Sequence, residues 1–135
     1  MQRHRVQKAI NHCARVVAGV RRSAHVTPLL EELGWPNLEG MVAESDCATM
    51  HYVVNNPYAP MCVSQRFKRR DDVSCRTTRA TDRGNLDVPR VRTEHARKFF
   101  SYRAVTRWNA LPATVRETTT ARACRKRYRE LVNSV

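Results

Sequence analysis

The stretch ARACRKRYRELV, residues 121–132, decides the class of fold. Ala121, Cys124, Tyr128, Leu131 and Val132 recur at three- and four-residue intervals, so they form one apolar stripe of a helix. Arg122, Arg125, Lys126 and Arg129 follow i, i+3, i+4, i+7 spacing and line a neighbouring face. The helix begins after Thr118, Thr119 and Thr120, residues suited to an N-terminus.

Helical spacing recurs upstream. Residues 105–111 read as helix, interrupted by Pro112. Near the other end, Val6, Ile10, Cys13, Val17 and Val20 form a stripe that Ala9 and Val16 widen, with Lys8, Asn11, His12 and Arg15 facing away. Gly19 is a natural stop. Thr27-Pro28 reads as N-cap and N1 of a short helix that Gly34 ends, and Asn37 caps a third. In that third helix Leu38, Met41, Val42, Ser45, Ala48, Thr49, Tyr52 and Val53 share a face, which Gly40 and the two hydroxyl residues weaken. Asn55-Asn56-Pro57 is a break, and residues 58–67 fit one short helix.

Residues 68–85 are polar, charged and nearly free of large apolar side chains, as in a mobile loop. Residues 86–88 and 98–102 read as short strands joined by the turn-like 92–97. The expected fold is mainly α: a small helical domain of about four or five helices, with at most a short two-stranded β element. The segments are 1–67, the loop 68–85 and a basic region 86–135. Trp35, Phe100, Trp108 and Leu111 are expected among the more buried side chains, because large aromatics are the best source of burial in an aromatic-poor chain.

Of 135 residues, 25 are Lys or Arg and 12 are Asp or Glu, a formal net charge of +13. So large an excess implies a polyanionic partner, and nucleic acid is the usual one. Only Lys8, Lys68, Lys98 and Lys126 are lysines. Arginine forks onto phosphate and stacks on bases, so its dominance fits nucleic acid, although GC-rich coding also raises arginine. The charge is uneven. Residues 23–63 contain no Lys or Arg and five acids, whereas residues 64–135 contain 19 basic and seven acidic residues.

Several chemistries are excluded or unsupported. A polymerase needs carboxylates that hold two metal ions on a hairpin with apolar flanks. The only adjacent pair of aspartates, Asp71-Asp72, lies between Arg69-Arg70 and Val73-Ser74 and reads as solvated charge. Four scattered glycines make no phosphate loop. Five histidines and five cysteines show no ligand spacing, and no CxxC pair exists. An odd, dispersed set of thiols is a poor disulfide framework and reads as reduced, hence cytoplasm or nucleus. No apolar run approaches the roughly 18 residues of a membrane span. The basic, amphipathic N-terminus loosely resembles a mitochondrial presequence but is poor in serine. Phe99, Phe100, Tyr102 and Trp108 are interleaved with Arg97, Lys98, Arg103 and Arg107, a mixture that can stack bases or form a small core with a basic rim.

Three segments together resemble the C-terminal end of LINE-type, non-LTR retrotransposon reverse transcriptases. The first is Ala14-Arg15-Val16-Val17-Ala18-Gly19, and the second runs from His25-Val26-Thr27-Pro28-Leu29-Leu30 to Leu33-Gly34-Trp35. The third is the most specific. It runs from Thr78-Arg79 through Leu86, Val88-Pro89-Arg90, Arg92-Thr93-Glu94 and Phe100-Ser101-Tyr102-Arg103 to Trp108-Asn109-Ala110-Leu111-Pro112. A basic terminal helix follows, as in the family. The resemblance covers nearly the whole chain and implies that residues 1–67 are the end of a thumb-like region, with Met1 inside a larger ancestral protein. The family's catalytic palm motif, its endonuclease and any terminal Cys/His knuckle have no counterpart in this sequence. Residues 40–46 lack the basic residues expected of the third helix, and Cys124 stands where the family usually has phenylalanine. Both departures point towards a decayed copy.

The resemblance implies a non-catalytic fragment without a cofactor, not an enzyme, which binds RNA or DNA weakly and without sequence preference. Its contacts would be Arg79, Arg90, Arg92, Arg103, Arg107, Arg122, Arg125, Lys126 and Arg129. The polymerase part of a parent protein is a further partner, and a membrane is not. The alternative is a structural helical fragment with no ligand of its own.

Overall fold

Short-range signals in the turns fix where most helices begin and end. The computed structural model describes residues 2–73 and 84–134. Its helices are α1 (Gln2–Val17), α2 (Thr27–Glu32), α3 (Leu38–Asn55), α4 (Met61–Ser64), α5 (Arg70–Val73), α6 (Glu94–Arg97), α7 (Phe100–Ala110), α8 (Ala113–Arg116) and α9 (Ala121–Asn133). The fold is therefore mainly helical, as the periodicity predicts. Four of these helices, α1, α3, α7 and α9, have 11 residues or more. The others are one or two turns long.

The caps follow from side-chain chemistry. The Thr120 hydroxyl accepts from the Ala123 amide at 3.1 Å and opens α9, and Thr93 does the same for α6 through Ala96. Asn37 accepts from the Gly40 amide at 2.8 Å at the start of α3. The cap of α2 is Val26, with Thr27 already helical, so the threonine lies one residue inside its expected place. Gly34, at φ 63°, lets the Trp35 amide reach back to the Leu30 carbonyl at 2.8 Å and closes that helix. Gly40 has a different use: a Cβ there would lie 2.9 Å from Pro36 Cβ, so only glycine admits that close approach.

The chain divides into two compact units inside α3, at Val42 and Ala43. The division does not fall in the polar stretch 68–85, because residues on both sides of that stretch build one core. In the first unit α1 packs against α2, and Ala14 is its one fully buried helical residue. The inward side of α1 carries Gln7, Ile10, Asn11 and Ala14. The Gln7 carbonyl oxygen accepts the Leu38 amide at 2.8 Å, and its amide donates to Asn11 at 2.8 Å. The expected stripe of Val6, Cys13, Val17 and Val20 is instead exposed. Orphan donors at the start of α3 draw the polar edge of α1 inward, a demand that apolar spacing does not encode.

The second unit holds the main core: Cys47, Met50 and Val53 of α3, Phe67, Leu86, Ala104, Val105 and Trp108 of α7, Leu111, Val115 and Cys124. Trp108 is 3% exposed and Leu111 8%, as their size predicts. Phe100 is half-buried at the core edge and meets Phe67 edge-on at 6.1 Å. In the first unit Trp35 is also only half-buried. The buried side of α3 carries Ala43, Glu44, Asp46, Cys47, Ala48, Met50, His51 and Val53, whereas Ser45, Thr49 and Tyr52 face solvent. The hydroxyl residues thus mark the outer face of α3, not the core.

Leu86 is the centre of a different β element from the one expected. Phe100 to Tyr102 do not pair with it, because they open α7: Phe100, Ala104, Val105, Trp108 and Leu111 keep a helical repeat that outlasts the strand-like pattern. Leu86 forms an isolated antiparallel bridge with Arg69, through Arg70 N–H to Asn85 O and Asp87 N–H to Lys68 O, each 2.9 Å. Its own amide and carbonyl point to the other side, towards Asn109. There the Asn109 side chain accepts from Leu86 N–H and donates to Leu86 O, both at 2.9 Å. One carboxamide thus stands in for a neighbouring strand. Leu86 is 1% exposed, so nothing else can satisfy these groups. Replacing Asn109 with alanine is expected to cost about 2 kcal/mol in urea unfolding, the penalty of stranding a buried donor and acceptor. Asn109→Asp, which keeps only the acceptor, should cost at least as much.

Candidate nucleic-acid interface

Helix α9 carries the densest set of cations. Its apolar side buries Cys124 and lays Tyr128 and Leu131 against the core. That anchoring turns Arg122, Arg125, Lys126 and Arg129 outwards along an open groove of about 810 Å³, completed by Ala48, Ala121, Glu130 and Asn133. The spacing seen in sequence therefore becomes one continuous basic face.

The face is not uniformly free. Glu44, on the buried side of α3, accepts from Arg129 Nε and Nη2, both at 2.8 Å, and Arg125 Nε lies 3.3 Å from the same carboxylate. The forked pairing holds Arg129 above the usual guanidinium range. Arg129 nonetheless remains 61% exposed and Arg125 49%, so each presents an edge of its guanidinium to solvent. Lys126 is 80% exposed and sits 4.0 Å from Glu130, a weak helical pair. Arg122 has no hydrogen bond or ion pair among the described residues. Lys126 and Arg122 are thus the least committed cations of the groove.

A second cluster lies where α7 meets α3. Asp46, only 5% exposed, accepts from Arg103 Nε at 2.6 Å, Arg103 Nη2 at 2.9 Å and Arg107 Nη1 at 2.7 Å. Arg103 also donates to the Lys98 carbonyl at 2.9 Å. The Asp46 hydrogen bond raises the Arg103 guanidinium further above its ordinary value, against the opposing effect of burial. Arg103 and Arg107, at 23% and 28% exposure, serve chiefly to neutralise a buried acid.

Arg90 and Arg92 are exposed on the extended segment between Leu86 and α6. No hydrogen bond or ion pair among the described residues ties them to the α9 face. Arg79 lies outside the described residues. The site expected from sequence therefore separates into an open face on α9, an internal cluster on α7 and an isolated pair at 90 and 92.

Glu44 and Asp46 are the functional residues that sequence reasoning missed. A signal for them existed: two acids in the middle of a helix with apolar neighbours, in a stretch with no Lys or Arg within helical reach, need cations from elsewhere in the fold if they are buried. Together they accept Arg103, Arg107, Arg125 and Arg129, so two carboxylates meet four guanidiniums and leave positive charge in excess.

Other chemistry finds no assembly. Among the described residues no group of three His, Cys, Asp or Glu side chains could hold a metal ion. Asp71 and Asp72 are exposed in α5. His51 and Asn55 of α3 hold the carbonyls of Thr118 and Arg116, an architectural use of both side chains. No helix among the described residues is long and apolar enough to cross a membrane. No family model, curated protein or solved structure matches the chain.

Proposed function

We propose that this protein is a non-catalytic nucleic-acid-binding fragment from the C-terminal end of a LINE-type reverse transcriptase. Helix α9 grips phosphate backbones of RNA or DNA without reading sequence. The observation that carries the proposal is the basic face of Arg122, Arg125, Lys126 and Arg129 along an open groove, whose nearest α3 acid lies beneath it and not on its rim. Phosphate oxygens suit such a face, because forked guanidiniums and one mobile ammonium give positioning without base contacts. Arg90 and Arg92 are further exposed cations open to the same polyanion. The polymerase part of a parent protein is a compatible second partner, and the nucleus or cytoplasm a compatible location.

Affinity for a single-stranded RNA or a DNA duplex should fall on the order of a hundredfold between 50 and 200 mM salt if about four phosphates are contacted. Changing Arg122, Arg125, Lys126 and Arg129 to Gln should remove most of that binding and flatten the salt slope. Fluorescence anisotropy on both proteins measures both quantities. A flat slope in the parent protein, or unchanged affinity in the quadruple variant, would overturn the assignment to α9.

A specific observation favours the second reading, a structural helical fragment with no ligand. Arg103, Arg107 and Arg129 are already committed to Asp46 and Glu44, so much of the positive charge of this region does internal work. The same contacts speak against decay. The acids of residues 40–46 and Cys124, which depart from the family pattern, all have close partners in the second unit.

A further inference from the structure

Two of the dispersed cysteines are brought together by the fold. Cys47 on α3 and Cys124 on α9 are 77 residues apart in sequence, yet their sulfurs lie 3.2 Å from one another. Both are buried, at 2% and 0% exposure, among Met50, Trp108 and Val115 of the core. Cys13 and Cys62 are exposed and free. We propose that Cys47 and Cys124 form an oxidation site, at which a water-sized peroxide converts the thiol pair into a disulfide that ties α9 to α3.

Geometry supplies the main support. Closing from 3.2 Å to the roughly 2.0 Å of a disulfide needs only a small movement of two short side chains. The pair is also chemically asymmetric. Either thiol can donate across the 3.2 Å contact, and the shared proton draws one thiol down while the contact and burial push the other up. Either sulfur can attack first, and the other then resolves; the order with Cys124 as the nucleophile stands for both.

The chemistry balances. Cys124 sulfur attacks one peroxide oxygen, the O–O bond breaks, and hydroxide leaves and takes up the thiol proton as water. The product is a sulfenic acid on Cys124. Cys47 sulfur then attacks that sulfur, the S–O bond breaks, and the departing hydroxide leaves as a second water with the Cys47 proton. Two thiols lose two electrons and two protons, and hydrogen peroxide is reduced to two waters. Burial restricts the site to small oxidants and ties its rate to local opening of α9. A bulky disulfide such as oxidised glutathione should react far more slowly. The consequence is mechanical: α9 is held on α3 whatever its outer face binds.

The test uses the full chain carrying Cys13→Ser, Cys62→Ser and Cys75→Ser, which leaves only the buried pair, with circular dichroism checking that the variant folds as the parent does. Hydrogen peroxide should consume both remaining thiols without forming dimers. Non-reducing peptide mapping should recover one peptide pair joined through Cys47 and Cys124, lost on reduction. The oxidised form should melt higher than the reduced form, by on the order of 10 °C, because the cross-link closes a long loop in the unfolded chain. Two free thiols persisting after peroxide treatment, over-oxidation of one sulfur without a cross-link, or a disulfide-linked dimer would each overturn the proposal. A cross-linked form that melts no higher than the reduced one would overturn the lock.

Discussion

Trp108→Ala is expected to destabilise the second unit by about 3–5 kcal/mol, the cost of removing a buried aromatic and leaving a cavity. Trp108 is 3% exposed and sits between α3 and α7, with His51 edge-on at 6.3 Å. Its neighbours cannot collapse easily into the space. His51 is tied to the Thr118 carbonyl, and Asn109, the next residue, is tied to Leu86. Domains of this size are stable by roughly 5–15 kcal/mol, so the variant should lose about a fifth of its stability or more. Urea unfolding followed by circular dichroism measures the loss. A cost below about 1 kcal/mol would mean that the tryptophan does not organise the core.

Asp46→Ala is expected to cost about 3 kcal/mol, somewhat at the low end for breaking a buried ionic cluster. The residue receives three charge-assisted hydrogen bonds from two arginines. Removing it leaves Arg103 and Arg107 facing each other, mostly buried and without that acid. Arg103→Ala should cost less, because Asp46 keeps Arg107. Glu44→Ala should cost least, since Arg125 and Arg129 are about half exposed or more and rehydrate, and such pairs are worth ~0–1 kcal/mol. The order Asp46, then Arg103, then Glu44 is the measurable content, read from unfolding midpoints of the three variants. Equal costs for Asp46→Ala and Glu44→Ala would show that burial does not separate the two clusters.

What could be read from the sequence and what could not divide along a physical line. The longer helices and several of their ends rest on local chemistry, and these were legible: Thr120 and Asn37 cap, Gly34 reverses, and the 121–132 repeat is a helix over that whole length. The short helices at 70–73 and 94–97 and the helical start at Phe100, by contrast, lay in stretches that read as loop, turn and strand. Which side of a helix is buried depends on partners far away in sequence. Most of the apolar stripe of α1, Ile10 excepted, faces out, while Gln7 reaches inward to Leu38. The buried side of α3 carries two acids because arginines 57 to 85 residues away meet them. The basic face of α9 was legible as a pattern. That Arg129 is half committed, and that Arg103 and Arg107 are largely internal, was not, because ion pairing across the fold leaves no periodic trace. The same reason hid the Leu86–Asn109 pairing, in which a side chain imitates a strand.

The bridge between Arg69 and Leu86 has a topological consequence. Two hydrogen bonds of 2.9 Å clamp the chain on either side of it, and Asn109 secures Leu86 from behind. Residues 69 and 86, 17 positions apart, are thereby held side by side. Leu86 therefore works as a keystone: it is held from one side by a backbone bridge and from the other by a side chain, so its register is set twice over by residues distant in sequence.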